Sequence, residues 1–209
     1  MTSLSTLARA ARLGAARKRG VTLIEAVLYI SIALALIVGG LVFFQQASLA
    51  QRTNSAVRNI SAIASETRAL YQGQNNFDGF TQLSLINAGA VPSSLISGTS
   101  ASPTLTNEWG GLITADSTGA TDTPAHSGFR VVYPNLPTAA CVRLTATDAS
   151  GSGRVGSGIR GIAFSTGSDF TDVAPASSTG VAQLTPALVS GDTRCGLGTI
   201  VNVRFTFNR

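Results

Sequence analysis

A long stretch without any charged side chain, Ala26–Gln51, constrains this chain more than any other feature. Its core reads AVLYISIALALIVGGLVFF and is apolar apart from Tyr29, Ser31 and the Gly39–Gly40 pair. A helix needs about 20 apolar residues to cross a bilayer, so the stretch is long enough for one transmembrane helix. The sequence therefore predicts a membrane span over about residues 24–44.

Basic residues cluster ahead of this stretch, at Arg9, Arg12, Arg17, Lys18 and Arg19. Because such residues stay on the cytoplasmic side, everything after Gln45 is expected outside the cytoplasm. A cleavable secretory signal has the same charge order, but its cleavage site contains small residues and follows the apolar run. Phe43–Gln46 does not fit such a site, whereas an uncleaved signal anchor remains an alternative.

The remaining charges argue against a nucleic-acid partner, although the formal net charge is +5 and the pI is about 10.0. From Gly20 onward the chain has ten arginines, no lysine and ten acids, and the arginines form no stripe. We therefore expect no direct nucleic-acid site.

Glu25 stands at the head of the apolar stretch, where a carboxylate is costly unless it lies among headgroups. A headgroup position beside Lys18 and Arg19 would lower that cost but would not explain the residues around it. The segment Lys18-Arg19-Gly20-Val21-Thr22-Leu23-Ile24-Glu25 resembles the processing site of type IV prepilins. In that family a basic leader ends in glycine, and a glutamate stands fifth in the mature protein.

This resemblance implies a leader, residues 1–20, that a prepilin peptidase removes between Gly20 and Val21, followed by methylation of the Val21 amine. Glycine allows a protease to approach the peptide closely because it has no side chain. The resemblance also implies that Glu25 of one subunit attracts the Val21 amine of the next, since a buried charge needs a partner. The implied partners are other pilin subunits, the inner membrane, an assembly platform and an assembly ATPase.

The long leader, the mature start at Val21 and the length of the mature chain resemble the type IVb branch. The expected architecture is the α+β pilin fold, in which a long helix over residues 21–72 packs on an antiparallel sheet in a head over residues 73–209. Apolar residues between Val57 and Tyr71 recur at three- and four-residue spacing, and Gly73 is a plausible stop. Gly39 and Gly40 favour either local unwinding or close approach of helices, and both alternatives stay open.

The head is expected to contain strands separated by loops rich in serine, threonine and glycine. Candidate strands are Gly111–Thr114, Phe129–Tyr133, Cys141–Thr147, Ile159–Ser165 and Ile200–Phe207, and candidate loops are Gly110–Thr123 and Ala174–Thr185. The block Asn107-Glu108-Trp109-Gly110-Gly111 resembles the segment that opens the sheet in several type IVb pilins.

Cys141 and Cys195 occur in a chain that is expected to be exported, which favours a disulfide over two buried thiols. The loop entropy of such a bridge corresponds to about 4 kcal/mol. By resemblance, region 141–195 is the C-terminal surface region of a pilin, which carries filament contacts and binding variation.

Enzymatic functions are weakly supported. Gly151–Gly156 matches GxGxxG, but the residues that follow predict a strand, whereas a dinucleotide site needs a helix there. His126 is the only histidine, so we expect no zinc site, no cofactor and no catalytic residues.

The predicted function is therefore a structural subunit of a type IVb pilus, first in the inner membrane and then extracellular, for adhesion, aggregation or mating-pair contact in conjugation. The alternatives are a minor pilin, a type II secretion pseudopilin and an unrelated membrane-anchored adhesin.

Overall fold

The computed structural model describes residues 22–119, 125–148, 152–172, 183–191 and 193–209. Its longest element is α1, Leu23–Leu70, a single uninterrupted helix. The expected helix reached Gln72, but α1 ends at Leu70 and a turn that includes Gly73 follows. The predicted leader, residues 1–20, and Val21 lie outside the described residues.

Shorter helices and strands of different lengths follow α1 in the described part of the chain. The helices are α2 Gln82–Asn87, α3 Thr138–Thr145 and α4 Pro186–Val189, with single 3-10 turns at Ser93–Leu95 and Cys195–Leu197. The strands are β1 Ile96–Thr99, β2 Ser102–Thr106, β3 Leu112–Ser117, β4 Gly128–Pro137, β5 Ile159–Ser165, β6 Thr171–Asp172 and β7 Ile200–Asn208.

The strands form one antiparallel sheet in the order β1-β2-β3-β4-β7-β5-β6. The C-terminal strand β7 is central because it pairs with β4 on one side and β5 on the other. Its alternating apolar residues Val201, Val203, Phe205 and Phe207 are all fully buried, as their spacing of two predicts. The α+β fold class inferred from the sequence is confirmed.

The core lies between the sheet and the second half of α1. The buried residues of that half are Thr53, Ala56, Asn59, Ile60, Ile63, Ala64 and Thr67, which recur at three- and four-residue spacing. The four apolar ones, Ala56, Ile60, Ile63 and Ala64, join the aromatic side chains of β4 and β7, including Phe129 and Phe207, in one hydrophobic cluster. The amphipathic pattern read from the sequence thus corresponds to a helix with one face on a sheet.

Two predictions about the head were wrong. Cys141–Thr147, expected as a strand, mostly forms α3, because Ala140, Cys141 and Leu144 bury one helical face and Pro137 precedes the first turn. The expected loop Gly110–Thr123 contains strand β3, which pairs with β4, so the overlapping prediction of a strand at Gly111–Thr114 was the correct one there. Strands β1 and β2 were not predicted, since their serine and threonine content is typical of loops.

Candidate functional site: the first helix and its contacts with the head

The amino end of α1 places Glu25 in its first turn, where a carboxylate interacts favourably with the helix dipole. Its backbone N–H donates to Thr22 Oγ1 at 3.4 Å, so the threonine hydroxyl satisfies one of the free amides of the first turn. The Tyr29 hydroxyl, one turn later, donates to Glu25 Oε1 at 3.4 Å. Glu25 is otherwise exposed, and its carboxylate is therefore open to a partner from outside this chain.

The apolar surface of α1 is uncovered over its first half. Large apolar side chains from Leu23 to Phe44 each keep between 51% and 84% of their surface exposed. The helix is long and apolar enough to cross a membrane by its length and composition. Gly39 and Gly40 are helical, and a Cβ on either glycine would meet nothing within 4 Å. Gly20 and Val21, the predicted cleavage and methylation positions, lie outside the described residues.

A carboxylate from the head holds the second half of α1 through a polar cluster. Glu108 Oε1 accepts a hydrogen bond from Asn59 Nδ2 at 2.6 Å, and Glu108 Oε2 accepts one from the Tyr133 hydroxyl at 3.0 Å. Arg52 on the same helix donates to the Glu108 backbone carbonyl at 3.4 Å. Burial and the neighbouring Glu108 raise the pKa of Tyr133 well above that of an ordinary tyrosine. The cluster fixes α1 to the turn between β2 and β3 and to strand β4.

Asn107 shapes the turn that presents Glu108. Its Oδ1 accepts the backbone N–H groups of Trp109 at 2.9 Å and Gly111 at 2.8 Å, while its Nδ2 donates to the Pro134 carbonyl at 2.5 Å. A Cβ on Gly111 would lie 2.7 Å from that same carbonyl oxygen, so only glycine fits this approach. The sequence analysis singled out this block by resemblance but did not predict that Glu108 contacts α1.

The glycine-rich GxGxxG segment, Gly151–Gly156, lies beside α1, and its described part is residues 152–156. Gly153 and Gly156 exchange backbone hydrogen bonds in a tight turn, and Val155 between them is fully buried. Arg154 donates to Asn54 Oδ1 at 2.9 Å, one of several contacts between this segment and the helix. A Cβ on Gly153 would lie 2.9 Å from the Ala146 carbonyl oxygen, and one on Gly158, just after the segment, would lie 2.6 Å from Arg68 Nη2 of α1. The segment forms a turn and not the start of a helix, in keeping with the loop that the sequence favoured over a dinucleotide site.

Arg68, near the end of α1, contacts the end of strand β7 and the segment before β5. Its guanidinium donates to the carbonyls of Asn208 at 3.1 Å and Ser157 at 3.0 Å, and it lies over the rings of Phe129 and Phe207. Partial burial lowers the pKa of Arg68. These contacts hold the end of α1 against the last residues of β7 and the segment that precedes β5.

His126 lies between the loop after α1 and the β3–β4 hairpin. Its Nδ1 is 3.1 Å from Ser117 Oγ, its Nε2 is 3.7 Å from Asp78 Oδ1, and its carbonyl accepts the Phe77 amide at 2.9 Å. The 3.7 Å separation is longer than a hydrogen bond. The contacts tie two loops together. Among the described residues there is no group of three metal-ligating side chains.

The structure joins Cys141 of α3 to Cys195 in a disulfide with Cα atoms 5.7 Å apart. Both cysteines are fully buried, and the Thr145 hydroxyl lies 3.8 Å from Cys195 Sγ. The bridge links α3 to the 3-10 turn that precedes β7, the central strand. It therefore fastens the C-terminal region to the core of the sheet.

Comparisons with known proteins agree with this architecture. Residues 50–206 match the family model described as PilS N terminal. The major structural subunit of the bundle-forming pilus of Escherichia coli O127:H6 is 26% identical over 140 residues, which cover 65% of this chain and 70% of that protein. The crystal structure of the type IVb pilin from Salmonella typhi is 27% identical and aligns with a TM-score of 0.50, covering 73% of this chain and 97% of that one.

Proposed function

The chain belongs to the family described as PilS N terminal, and from that premise we propose that it is the major structural subunit of a type IVb pilus. The filament serves adhesion, aggregation or cell–cell contact. The observation that carries the proposal is the uncovered apolar surface from Leu23 to Phe44, on a helix whose second half is packed in a pilin head. A helix that is apolar on all sides needs surroundings that cover all of them.

Two environments cover that surface in turn. Before assembly the inner membrane surrounds the helix, with the head outside the cytoplasm, and a prepilin peptidase cleaves between Gly20 and Val21. After assembly the apolar helices of other subunits replace the lipid. An inner-membrane platform and an assembly ATPase drive this exchange, because moving the helix out of the bilayer one subunit at a time requires work.

Glu25 guides docking in this proposal. A carboxylate inside a filament core lacks water, so it must find a cation. Glu25 is the only acid before Glu66, and the Val21 amine of a neighbouring subunit is the cation that processing creates close to it in sequence. The weak 3.4 Å contact with the Tyr29 hydroxyl leaves the carboxylate available for that amine.

Processing and assembly are tested together on filaments sheared from cells. The most abundant filament protein is expected to begin at Val21 with one methyl group on its amine, as read by intact mass and fragmentation. Lys18 is the only lysine, so the processed chain carries a single amine, at its terminus. An amine-reactive label is therefore expected once per processed chain, on Val21.

Two leader glycines provide a matched control for the cleavage site. Gly20→Val is expected to block processing and filament formation, because the added side chain obstructs the protease, whereas Gly14→Val in the same leader is expected to be processed normally. A mature start after Gln45, or filaments composed of uncleaved chains, would contradict the proposal. Filaments in which this chain is only a trace component would identify it as a minor subunit instead.

A further inference from the structure

The face of α1 that points away from the sheet carries two opposite charges. We call this face the outer ridge. Its residues are exposed or half-buried and are Gln51, Ser55, Arg58, Ala62, Ser65, Glu66 and Ala69. On a helix of 3.6 residues per turn, Arg58 lies opposite the buried face that includes Ile60 and Ile63, whereas Glu66 lies about 80° around the helix from Arg58, at the flank of that face. No element of the head, as far as the structure describes it, hydrogen-bonds to a side chain of Arg58 or Glu66.

Among the residues that the structure describes, Arg58 and Glu66 have no hydrogen-bond or ion-pair partner, and geometry prevents them from pairing with each other. Side chains that pair along a helix are three or four residues apart, and these are eight apart. Two acids of the head are engaged within the chain: Asp78 lies 3.7 Å from His126, and the half-buried Asp116 forms an ion pair with Arg130 at 2.5 Å. The two ridge charges are therefore available to another molecule.

The distance between Arg58 and Glu66 along the helix indicates which kind of partner could pair with both charges. Eight residues along a helix correspond to an axial distance of about 12 Å. In a helical polymer each subunit meets its neighbours by one repeated displacement, so one subunit uses its cation on one side and its anion on the other. Ala62 and Ser65, which lie between the two charges on the ridge, are too small to obstruct such an approach.

We infer that the outer ridge is an interface with a second copy of this chain, in which Arg58 of one subunit pairs with Glu66 of a neighbour shifted by about 12 Å along the helix axis. The inference rests on the proposed function, because it needs subunits whose helices run parallel in a filament. It adds a contact within the head, distinct from the Glu25 pairing, on the same continuous helix as the apolar segment. This ion pair determines how far the heads of neighbouring subunits are displaced from each other along the helix axis.

Charge reversal in the full-length chain tests the pair. R58E or E66R places like charges at the contact, and the yield of sheared filaments is expected to fall about tenfold. The swapped chain R58E/E66R restores opposite charges and is expected to recover most of the wild-type yield. Arg143→Glu is the matched control, since Arg143 is also exposed and has no described hydrogen-bond partner. Its yield is expected to stay within about twofold of wild type, as is usual for surface substitutions.

Cysteines at the same positions test the distance directly. Within one chain the two Cα atoms are about 12 Å apart, beyond the roughly 7 Å that a disulfide can span, so R58C/E66C can only bridge between copies. Mild oxidation of filaments is expected to give a ladder of multimers on non-reducing gels, and either single variant none. A ladder supports the inference because it brings the two positions of neighbouring copies within disulfide distance. Since arginine and glutamate reach further than two cysteines, the charge swap is the measurement that overturns the inference.

Failure of this inference is distinguishable from failure of the proposed function. If wild-type filaments contain the chain but R58E/E66R assembles no better than R58E, the ridge pair is wrong while the pilus assignment stands. Equal losses from R143E and R58E would show a dependence on net charge alone and would also overturn the pair. Absence of the chain from wild-type filaments would instead reject the proposed function.

Discussion

The two halves of α1 belong to one helix but have different surroundings. In the first half the side chains of Phe43 and Leu36 are 74% and 72% exposed, whereas in the second half Ile60 and Ile63 are fully buried. The first half is apolar on every side, and the second is apolar on one face only. A single sheet can cover one face of a helix, but it cannot cover a helix that is apolar all round.

This difference separates two kinds of stability. The second half stabilises the head by burying apolar surface against β4 and β7, which depends only on this chain. Under the proposed function the first half gains its free energy from lipid or from other subunits and determines insertion and assembly. Substitutions in the first half are expected to change assembly, and substitutions in the second half are expected to change folding.

The largest effect is expected for Glu25→Ala, which tests whether the first half acts through assembly. If Glu25 only marks a headgroup position, the alanine variant inserts as well as wild type or better. If it pairs with the Val21 amine of a neighbour, removal leaves that amine uncompensated in a dry core, at a cost of about 3–5 kcal/mol. We expect the variant to remain in the membrane fraction with few or no filaments, as measured by comparing sheared and membrane-bound protein.

Two conservative variants serve as controls for Glu25. Tyr29→Phe removes the hydroxyl that contacts the carboxylate but keeps the charge, so filaments are expected at near-normal yield. Glu25→Asp keeps the charge with a shorter reach and is expected to be milder than alanine. Normal filament numbers from Glu25→Ala would show that assembly does not need this charge.

The next largest effect is expected for Cys195→Ser, which acts in the head alone. Loss of the bridge to Cys141 is expected to lower the free energy of unfolding by about 4 kcal/mol. Urea titration of the detergent-solubilised chain, followed by the fluorescence of Trp109, measures this loss. Cys141→Ser and the double variant are expected to give the same loss, because all three remove one bond. Free thiols in filaments never exposed to a reductant would contradict the bridge.

A matched pair of isoleucines compares the two halves directly. Ile60→Ala creates a cavity at a fully buried position in the second half of α1 and is expected to destabilise the head by about 3 kcal/mol. Ile37→Ala, at a position 57% exposed, is expected to change head stability by less than about 0.5 kcal/mol. Equal effects from the two variants in the same urea titration would remove the distinction between the halves.

The distinction itself was readable from the sequence, because both halves of α1 have strong local patterns. Strand β7 was equally clear, since Val203, Phe205 and Phe207 alternate with polar residues. Helix α3 was mistaken for a strand because Val142 and Leu144 also alternate with polar residues, and eight residues carry too little periodicity to decide. In a segment this short, tertiary packing determines whether a helix or a strand forms, and the local sequence does not reveal that packing.

The contacts that hold α1 on the sheet were not predictable for a different reason. Glu108 lies 49 positions from Asn59 and 25 from Tyr133, and nothing local to any of the three signals the others. The same holds for Arg154 and Asn54, which are 100 positions apart. The role proposed for Glu25 rests on nearby residues, Gly20 and Val21, and could be put forward from the sequence, whereas the polar cluster depends on the completed fold.

The smallest effect is expected at that polar cluster. Tyr133→Phe leaves Glu108 Oε2 without its 3.0 Å donor, which is expected to lower the free energy of unfolding by about 1–2 kcal/mol at pH 7. Tyr29→Phe, in the apolar half, is the matched control, and it is expected to leave the stability of the head unchanged at that pH.

The pH dependence of the same variant gives the sharper measurement. Burial and Glu108 raise the pKa of Tyr133, so the folded state keeps the phenolic proton after an unfolded tyrosine loses it, near pH 10. Above about pH 10 the unfolded state therefore binds fewer protons, and the free energy of unfolding of the wild type falls as pH rises. Tyr133→Phe has no such proton to release, so its deficit relative to wild type is expected to narrow above pH 10. A deficit that stays constant from pH 7 to pH 11 in parallel urea titrations would show that the folded state does not hold this proton more tightly than the unfolded chain does.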